Sequence, residues 1–253
     1  MARTALITGA SSGIGREIAR ELSERGFKVI LAARRKERLE ELADDLDSES
    51  RVIVCDLSTR EGCIDLYEQV KDENVTVLIN NAGFGAIGRF DELPLDTELR
   101  MIDTNVTAVH ILTKLFLKDF IAADRGYILN VASSAGLMAG GPLMAAYYAT
   151  KAYVVSLTSS LSEELRSIGA NVHISALCPG PVDTEFNDVA GCEFGVSAIS
   201  AEECAKEGVE GLFRRKLIII PGKGMKAAAS LSKLAPREIV LRTAGEMQKQ
   251  KLK

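Results

Sequence analysis

A doubly wound α/β fold on a parallel sheet is predicted by three observations. Short apolar runs alternate with longer segments of helical periodicity over most of the chain. The runs read as continuous apolar stretches, as strands do when helices cover both faces of a parallel sheet. The first run opens into a glycine-rich turn that leads directly into a helical pattern.

The first strand is expected over 4–8 (TALIT). A helix follows over 14–25, with Ile14, Ile18, Ala19 and Leu22 at helical spacing and Gly26 as its stop. Strand two is 28–33 (KVILAA), and a charged helix over 35–46 places Leu39, Leu42 and Leu46 on one face. Strand three is 51–55, followed by a helix over 61–70, and strand four is 75–79. A long helix over 99–120, a strand over 127–132, a helix over 145–168 and a strand over 171–177 continue the alternation. A helix over 202–213 and a seventh strand over 216–220 complete it. Right-handed crossovers then give a seven-stranded parallel sheet with helices on both faces and ligands at the carboxyl ends of its strands. The tail from 225 to 253 alternates apolar and basic residues at helical spacing, interrupted by Pro236.

The length of 253 residues suits one large domain, 1–253, with 185–224 as a substrate-loop region and 225–253 as a helical tail. Hydrophobic content of 47% and charged content of 26% are ordinary for a globular protein. A net charge of −4 gives no electrostatic reason to expect nucleic acid as a partner. Five scattered cysteines without a CxxC pair suggest reduced thiols, and two histidines (His110, His173) make a His-rich metal centre improbable, so no metal is expected. The N-terminus lacks the apolar core of a signal peptide, and no run approaches the roughly 18 apolar residues that span a bilayer. A cytoplasmic protein without a membrane span is the expectation.

The turn after the first strand reads Thr8-Gly9-Ala10-Ser11-Ser12-Gly13-Ile14-Gly15. Glycine there lets the backbone turn tightly and approach a pyrophosphate, while the helix N-terminus supplies N–H groups and partial positive charge. Its position after the first strand is what the dinucleotide motif requires, although Gly9, Gly13 and Gly15 do not follow the common GxGxxG spacing. At the end of the second strand an NAD site needs an acidic residue for the ribose 2′-hydroxyl. Here Ala33 is followed by Arg34 and Arg35, and arginine suits a 2′-phosphate through charge-assisted hydrogen bonds. A cationic cluster at a helix start opposes the macrodipole, which favours an anion-binding role over a merely solvated helix end. NADP(H) is therefore the expected cofactor.

Tyr147 and Lys151 stand four apart at the start of a predicted helix, so both can face one cleft while Tyr148 is rotated away. A phenol has a reference pKa near 10, and lowering it by about 3 units needs on the order of 4 kcal/mol of phenolate stabilisation. The ammonium of Lys151 is a source of it.

Taken in order, the glycine turn, Asp56, Asn80-Asn81-Ala82-Gly83, Asn105, a serine after the fifth strand, Tyr147-x-x-x-Lys151 and Pro179-Gly180 resemble the short-chain dehydrogenases/reductases, a Rossmann-fold family of about 250 residues. The resemblance spans roughly residues 4–184. It implies hydride exchange between a nicotinamide and a carbonyl or secondary alcohol, with Tyr147 as general acid or base and Lys151 lowering its pKa and holding the nicotinamide ribose. It implies that the serine binds the substrate oxygen, and that Asn105 supports a water linked to Lys151. Gly9, Ser11, Ser12, Gly13, Ile14 and Gly15 would hold the pyrophosphate. Asp56 and Leu57 would meet the adenine, Asn81, Ala82 and Gly83 the adenosine half, and Pro179, Gly180, Val182 and Thr184 the nicotinamide.

The identity of the serine is open. Thirteen residues before Tyr147, the family's usual count, is Ser134. Counting from the strand end selects Ser133, with one extra residue in the loop 137–142, and Ser133 is preferred because strand geometry fixes a side chain better than a loop length does. Apolar side chains near the expected mouth (Phe84, Leu137, Met138, Leu143, Met144, Phe186, Phe194) favour a lipophilic substrate, and residues 217–242 loosely resemble family members acting on long acyl chains or steroids. The alternatives are a 3-oxoacyl-thioester reductase of fatty-acid synthesis and, in another class, a non-catalytic NADP(H)-binding sensor. The resemblance further implies a homodimer or homotetramer paired through the helices of Asn105 and Tyr147, which are apolar on more than one side.

Overall fold

In the computed structural model, residues 3–186, 190–191, 198–222, 224–227 and 235–250 are described. Phe194 and the remaining parts of the 185–224 loop region and the 225–253 tail lie outside them.

Seven parallel strands form one sheet in the order β3-β2-β1-β4-β5-β6-β9. They are β1 (Thr4–Thr8), β2 (Lys28–Ala33), β3 (Ser50–Val54), β4 (Val75–Asn80), β5 (Gly126–Val131), β6 (Val172–Leu177) and β9 (Ile218–Ile219). Alternate side chains leave each strand on opposite faces and feed two separate cores. Ala5, Ile7, Val29 and Leu31 pack with Ile18 and Leu22 of α1 (Gly13–Glu24), Leu39 of α2 (Lys36–Asp44) and Leu212 of α7 (Ala201–Phe213). Leu6, Ile30, Leu78 and Ile128 pack on the other side with Leu66 of α3 (Arg60–Val70), Phe116 of α5 (Ala108–Ala122) and Leu165 of α6 (Ala145–Ser167).

The order reverses direction between β1 and β4, so their carboxyl ends diverge into a crevice. In an open parallel sheet that reversal is where ligands bind.

Three details depart from the sequence expectation. The helix expected over 99–120 is a composite: α4 (Leu95–Ile102), capped by Pro94, then a π-helical turn (Asp103–Thr107), then α5. A period of 3.6 cannot reveal the inserted residue of a π turn, and such turns occur mostly at functional positions. The seventh strand is two residues long, not five. A two-residue pairing of β7 (Val182–Asp183) with β8 (Ile199–Ser200) was not expected, being too short to leave a periodic signal. The tail contains α8 (Arg237–Lys249), which starts directly after Pro236.

Among the described residues, no helix is long and apolar enough to cross a membrane, and no group of three or more His, Cys, Asp or Glu side chains stands together as a metal site.

Candidate active site

One cleft of about 550 Å³ runs along the carboxyl ends of the strands, from Arg34 and Asp56 at one end to Tyr147 and Phe186 at the other. Nearly all the residues singled out from the sequence line it: Gly9, Ser11, Ser12, Gly13, Ile14, Arg34, Arg35, Asp56 and Leu57 at one end, and Asn81, Ala82 and Gly83 in the middle. Ser133, Tyr147, Lys151, Pro179, Gly180, Val182 and Thr184 line the rest. Gly15 and Asn105 stand just behind the wall and shape it.

The glycine turn is fastened to the end of β4. Thr8 Oγ accepts the backbone N–H groups of Asn81 (3.0 Å) and Ala82 (3.1 Å) and donates to the carbonyl of Ile79 at 3.2 Å. The Asn81 side chain donates in return to the carbonyls of Thr8 and Gly9, at 3.0 and 3.1 Å. Gly9 has φ +66°, and a Cβ on it would lie 2.8 Å from the Ala82 Cα. A Cβ on Gly15 would lie 2.5 Å from the Gly9 carbonyl oxygen and press on Asn81 Nδ2. Only glycine permits this approach of turn, helix and strand.

Of the two arginines, Arg35 is the one whose guanidinium reaches the turn. It donates to Ser11 Oγ at 3.0 Å and Ser12 Oγ at 2.7 Å, and it pairs with Glu185 Oε2 at 2.8 Å. Arg38 binds the other oxygen of the same carboxylate. The two arginines hold the Glu185 carboxyl below the usual carboxylate range. Asp56 accepts the Ser58 backbone N–H at 2.9 Å; that bond, with Arg34 and Arg100 nearby, depresses its pKa against the opposing effect of burial.

At the other end, α6 presents Tyr147 and Lys151 on one face. Lys151 Nζ lies 5.9 Å from the centre of the Tyr147 ring and donates to the carbonyl of Val131, the last residue of β5, at 2.9 Å. Lys151 is 5% exposed, and burial pushes its ammonium down to about 8. Asn105 sits within the π turn, fully buried. Its amide grips both backbone groups of Phe84, accepting from the N–H at 3.0 Å and donating to the carbonyl at 2.9 Å, and donates to Thr150 Oγ at 3.2 Å. Thr150 Oγ donates to the carbonyl of Tyr147 at 2.7 Å. A Cβ on Gly83 would touch Asn105 Oδ1 at 2.9 Å and approach Lys151 Nζ at 3.5 Å. The π turn, the end of β4 and the start of α6 therefore converge at one point.

Ser133 caps a short 3-10 helix (Ser134–Leu137), accepting the Ala135 N–H at 3.1 Å, with its hydroxyl directed at the Pro179 carbonyl 3.5 Å away. Ser134 also lines the cleft. Around Tyr147 the wall is apolar: Met144 and Tyr148 are buried beside it, and Phe186 lies with its ring centre 5.6 Å from that of Tyr147.

The model for the short chain dehydrogenase family matches residues 3–193. The chain belongs to this family. It is accordingly an oxidoreductase. Among curated short-chain dehydrogenases, a 3-oxoacyl-acyl-carrier-protein reductase of Rickettsia prowazekii (strain Madrid E) is 36% identical over 186 residues, covering 74% of this chain and 75% of that protein. A solved short-chain dehydrogenase from Sphingobium yanoikuyae in complex with NADPH superposes with a TM-score of 0.83 at 30% identity over 94% of both chains. Another, from Burkholderia phymatum in complex with NAD, superposes with a TM-score of 0.83 at 28% identity over 91% of this chain and 92% of that one. Family members thus bind nicotinamide dinucleotides of either kind.

Cleft residues that the sequence reading did not single out include Glu185 as a partner of the arginines, Arg100, Thr104 and Gln248; Tyr148, expected to be rotated away, lines the cleft as well, because the loop before α6 folds over its ring at Gly141. Glu185 and Gln248 offered no motif, because each acquires its meaning from a partner 100 or more residues away.

Proposed function

We propose that this short-chain dehydrogenase is an NADP(H)-dependent oxidoreductase that interconverts a carbonyl and a secondary alcohol on a predominantly apolar substrate. The observation that supports this most is Tyr147 and Lys151 side by side at one end of a cleft whose other end is the glycine turn. The residues present fit a dinucleotide: the floor at Gly9 and Gly15 has no room for a Cβ, and Ser12 caps α1 without a side-chain hydrogen bond to its first turn. In this reading Gly9 to Gly15 hold the pyrophosphate, and Arg34 and Arg35 hold a 2′-phosphate. Asp56 and Leu57 meet the adenine, Asn81 to Gly83 flank the adenosine, and Pro179, Gly180, Val182 and Thr184 border the nicotinamide. The bound nicotinamide supplies or accepts the hydride.

The protein's own groups handle the proton. Tyr147 gives its phenolic proton to the carbonyl oxygen in reduction and recovers it from the hydroxyl in oxidation. Lys151, charged below about pH 8, stabilises the phenolate. Ser133 donates a hydrogen bond to the substrate oxygen, and Asn105 holds the wall at Phe84 against α6. Met144, Phe84 and Phe186 around Tyr147 favour a lipophilic substrate. The resemblance to the rickettsial enzyme favours one particular version, a 3-oxoacyl-thioester reductase. Pairing of subunits through α5 and α6 into a homodimer or homotetramer belongs to the same reading, since Tyr153 and Ile121 stand exposed on those helices.

Titration of the protein with NADPH and NADH, followed by the fluorescence of the reduced nicotinamide, tests the reading. Tighter NADPH binding that weakens in an Arg35→Ala or Arg34→Ala variant supports it. Preference for NADH overturns the cofactor assignment, and binding of neither favours a protein without this chemistry.

A further inference from the structure

A hydroxyl ties the start of α6 to the π turn. Thr150 stands between Tyr147 and Lys151 in the chain and is 3% exposed. Its Oγ donates to the Tyr147 carbonyl at 2.7 Å and accepts from Asn105 Nδ2 at 3.2 Å. Threonine in a helix often returns its hydroxyl to the carbonyl of the preceding turn. Here the bond continues beyond the helix, to a fully buried amide 45 residues away in the chain.

The direction of these bonds fixes the amide. A threonine hydroxyl has one proton to give, and Thr150 gives it to Tyr147. Towards Asn105 it can therefore only accept, and it faces the NH2 edge of that side chain. The carbonyl edge is turned the other way, where Oδ1 accepts the Phe84 N–H at 3.0 Å. A Cβ on Gly83 would lie 2.9 Å from Oδ1 and 3.5 Å from Lys151 Nζ, so the two polar atoms border the same small space. A flipped amide would set its NH2 edge against the Phe84 N–H and on the side of the ammonium, donors towards donors.

We propose that Thr150 is a positioning residue for the proton-transfer step: its hydroxyl selects the edge of Asn105 that faces α6 and so keeps the carbonyl edge towards Gly83 and Lys151. Without that hydroxyl one buried Asn105 proton loses its acceptor, the grip on Phe84 slackens, and the wall beside Lys151 shifts. Thr150 touches no reacting atom; it acts through Asn105. This rests on reading Tyr147 as the group that exchanges the proton.

Hydrogen exchange and kinetics of the intact protein test it together. Thr150→Val keeps the side-chain shape without the hydroxyl, and Thr150→Ser keeps the hydroxyl. Exchange at the Phe84 amide, read by mass spectrometry, is expected to quicken about tenfold in Thr150→Val, the scale of one buried proton left unpaired, and to stay near the unmodified rate in Thr150→Ser. With NADPH and 2-decalone or ethyl 3-oxohexanoate, kcat should fall about tenfold in Thr150→Val while the NADPH dissociation constant holds, and Thr150→Ser should recover most of the loss. Should Thr150→Val not fold, Thr150→Ala takes its place in both measurements. Unchanged exchange at Phe84, faster exchange with unchanged kcat, or a serine variant no better than the valine one overturns the proposal. Absence of reduction of both ketones by the unmodified protein with NADPH bound sinks the reaction instead. The exchange measurement still decides whether Thr150 holds Asn105, so the two failures are distinct.

Discussion

Arg35 and Glu185 are joined by an ion pair of 2.8 Å across the mouth of the cleft, 150 residues apart in the chain. The carboxylate stands where an anionic group bound by Arg35 would have to come, and it engages Arg38 as well. Both partners are 43% exposed, and such a pair contributes at most about 1 kcal/mol, or roughly a factor of five in affinity. Glu185→Gln is therefore expected to tighten NADPH by up to about fivefold and to leave NADH nearly unchanged. Arg35→Ala is expected to weaken NADPH by about tenfold or more, since charge-assisted hydrogen bonds contribute about 1.5–3 kcal/mol. Parallel fluorescence titrations decide it; equal effects on both cofactors would remove Arg35 from the 2′-phosphate.

Burial of Lys151 sets a pH limit. With its pKa down at about 8, the ammonium is present below that pH and lost above it. The profile of kcat/KM should fall above about pH 8, and Lys151→Arg should carry the limb out of range, because a guanidinium does not deprotonate there. Stability moves in the opposite sense. Between about pH 8 and the ordinary lysine value near 10.4 the unfolded chain binds the extra proton at this residue, so the Lys151 contribution to unfolding free energy rises with pH. The thiols of Cys55, Cys63 and Cys204, whose pKa values burial raises, contribute in the falling direction. Measured by urea denaturation at both ends of that window, the unfolding free energy of the unmodified protein minus that of Lys151→Met should rise with pH, because the thiol contribution is common to both.

Ser133 is expected to bind the substrate oxygen. Ser133→Ala should lower kcat by about a hundredfold, the scale for losing one donor to a developing oxyanion, with Ser134→Ala close to the unmodified protein. The reverse ranking would mean that the count back from Tyr147, not the end of β5, locates the catalytic hydroxyl.

Gly15→Ala tests the close approach at the turn. Its Cβ would sit 2.5 Å from the Gly9 carbonyl oxygen, an overpacking that costs about 1–3 kcal/mol. Each kcal/mol corresponds to roughly 2–4 °C in Tm for a chain of this size. Differential scanning calorimetry should show that loss together with weaker NADPH binding, while Gly224→Ala, with nothing within 4 Å, serves as the control.

The sheet was legible because its strands are buried on both faces and therefore read as apolar runs; β1, β2 and β4 appear within a residue of where those runs predict. The glycine turn and the Tyr147–Lys151 pair were legible because their spacing is local. What stayed hidden is non-local. Arg34 and Arg35 are adjacent and chemically equal, and only the backbone of the N-cap decides that Arg35 faces Ser11 and Ser12. The π turn around Asn105 (Asp103–Thr107) is one widened turn inside a continuous helical run, and no residue type in DTNVT marks it. Gln248 lies among Lys249, Gln250 and Glu246 in a polar stretch, and nothing in that stretch announces a residue that is almost wholly buried.

The hydroxyl of Thr8 ends this chain of dependencies. One oxygen takes two N–H groups from Asn81 and Ala82 and returns its proton to Ile79. The glycine turn and the β4 end therefore shift as one rigid body, and damage at either is damage at both. Substitutions at Thr8 and Asn81 should be sub-additive in a double-mutant cycle, because the first to break the junction leaves the second little to undo.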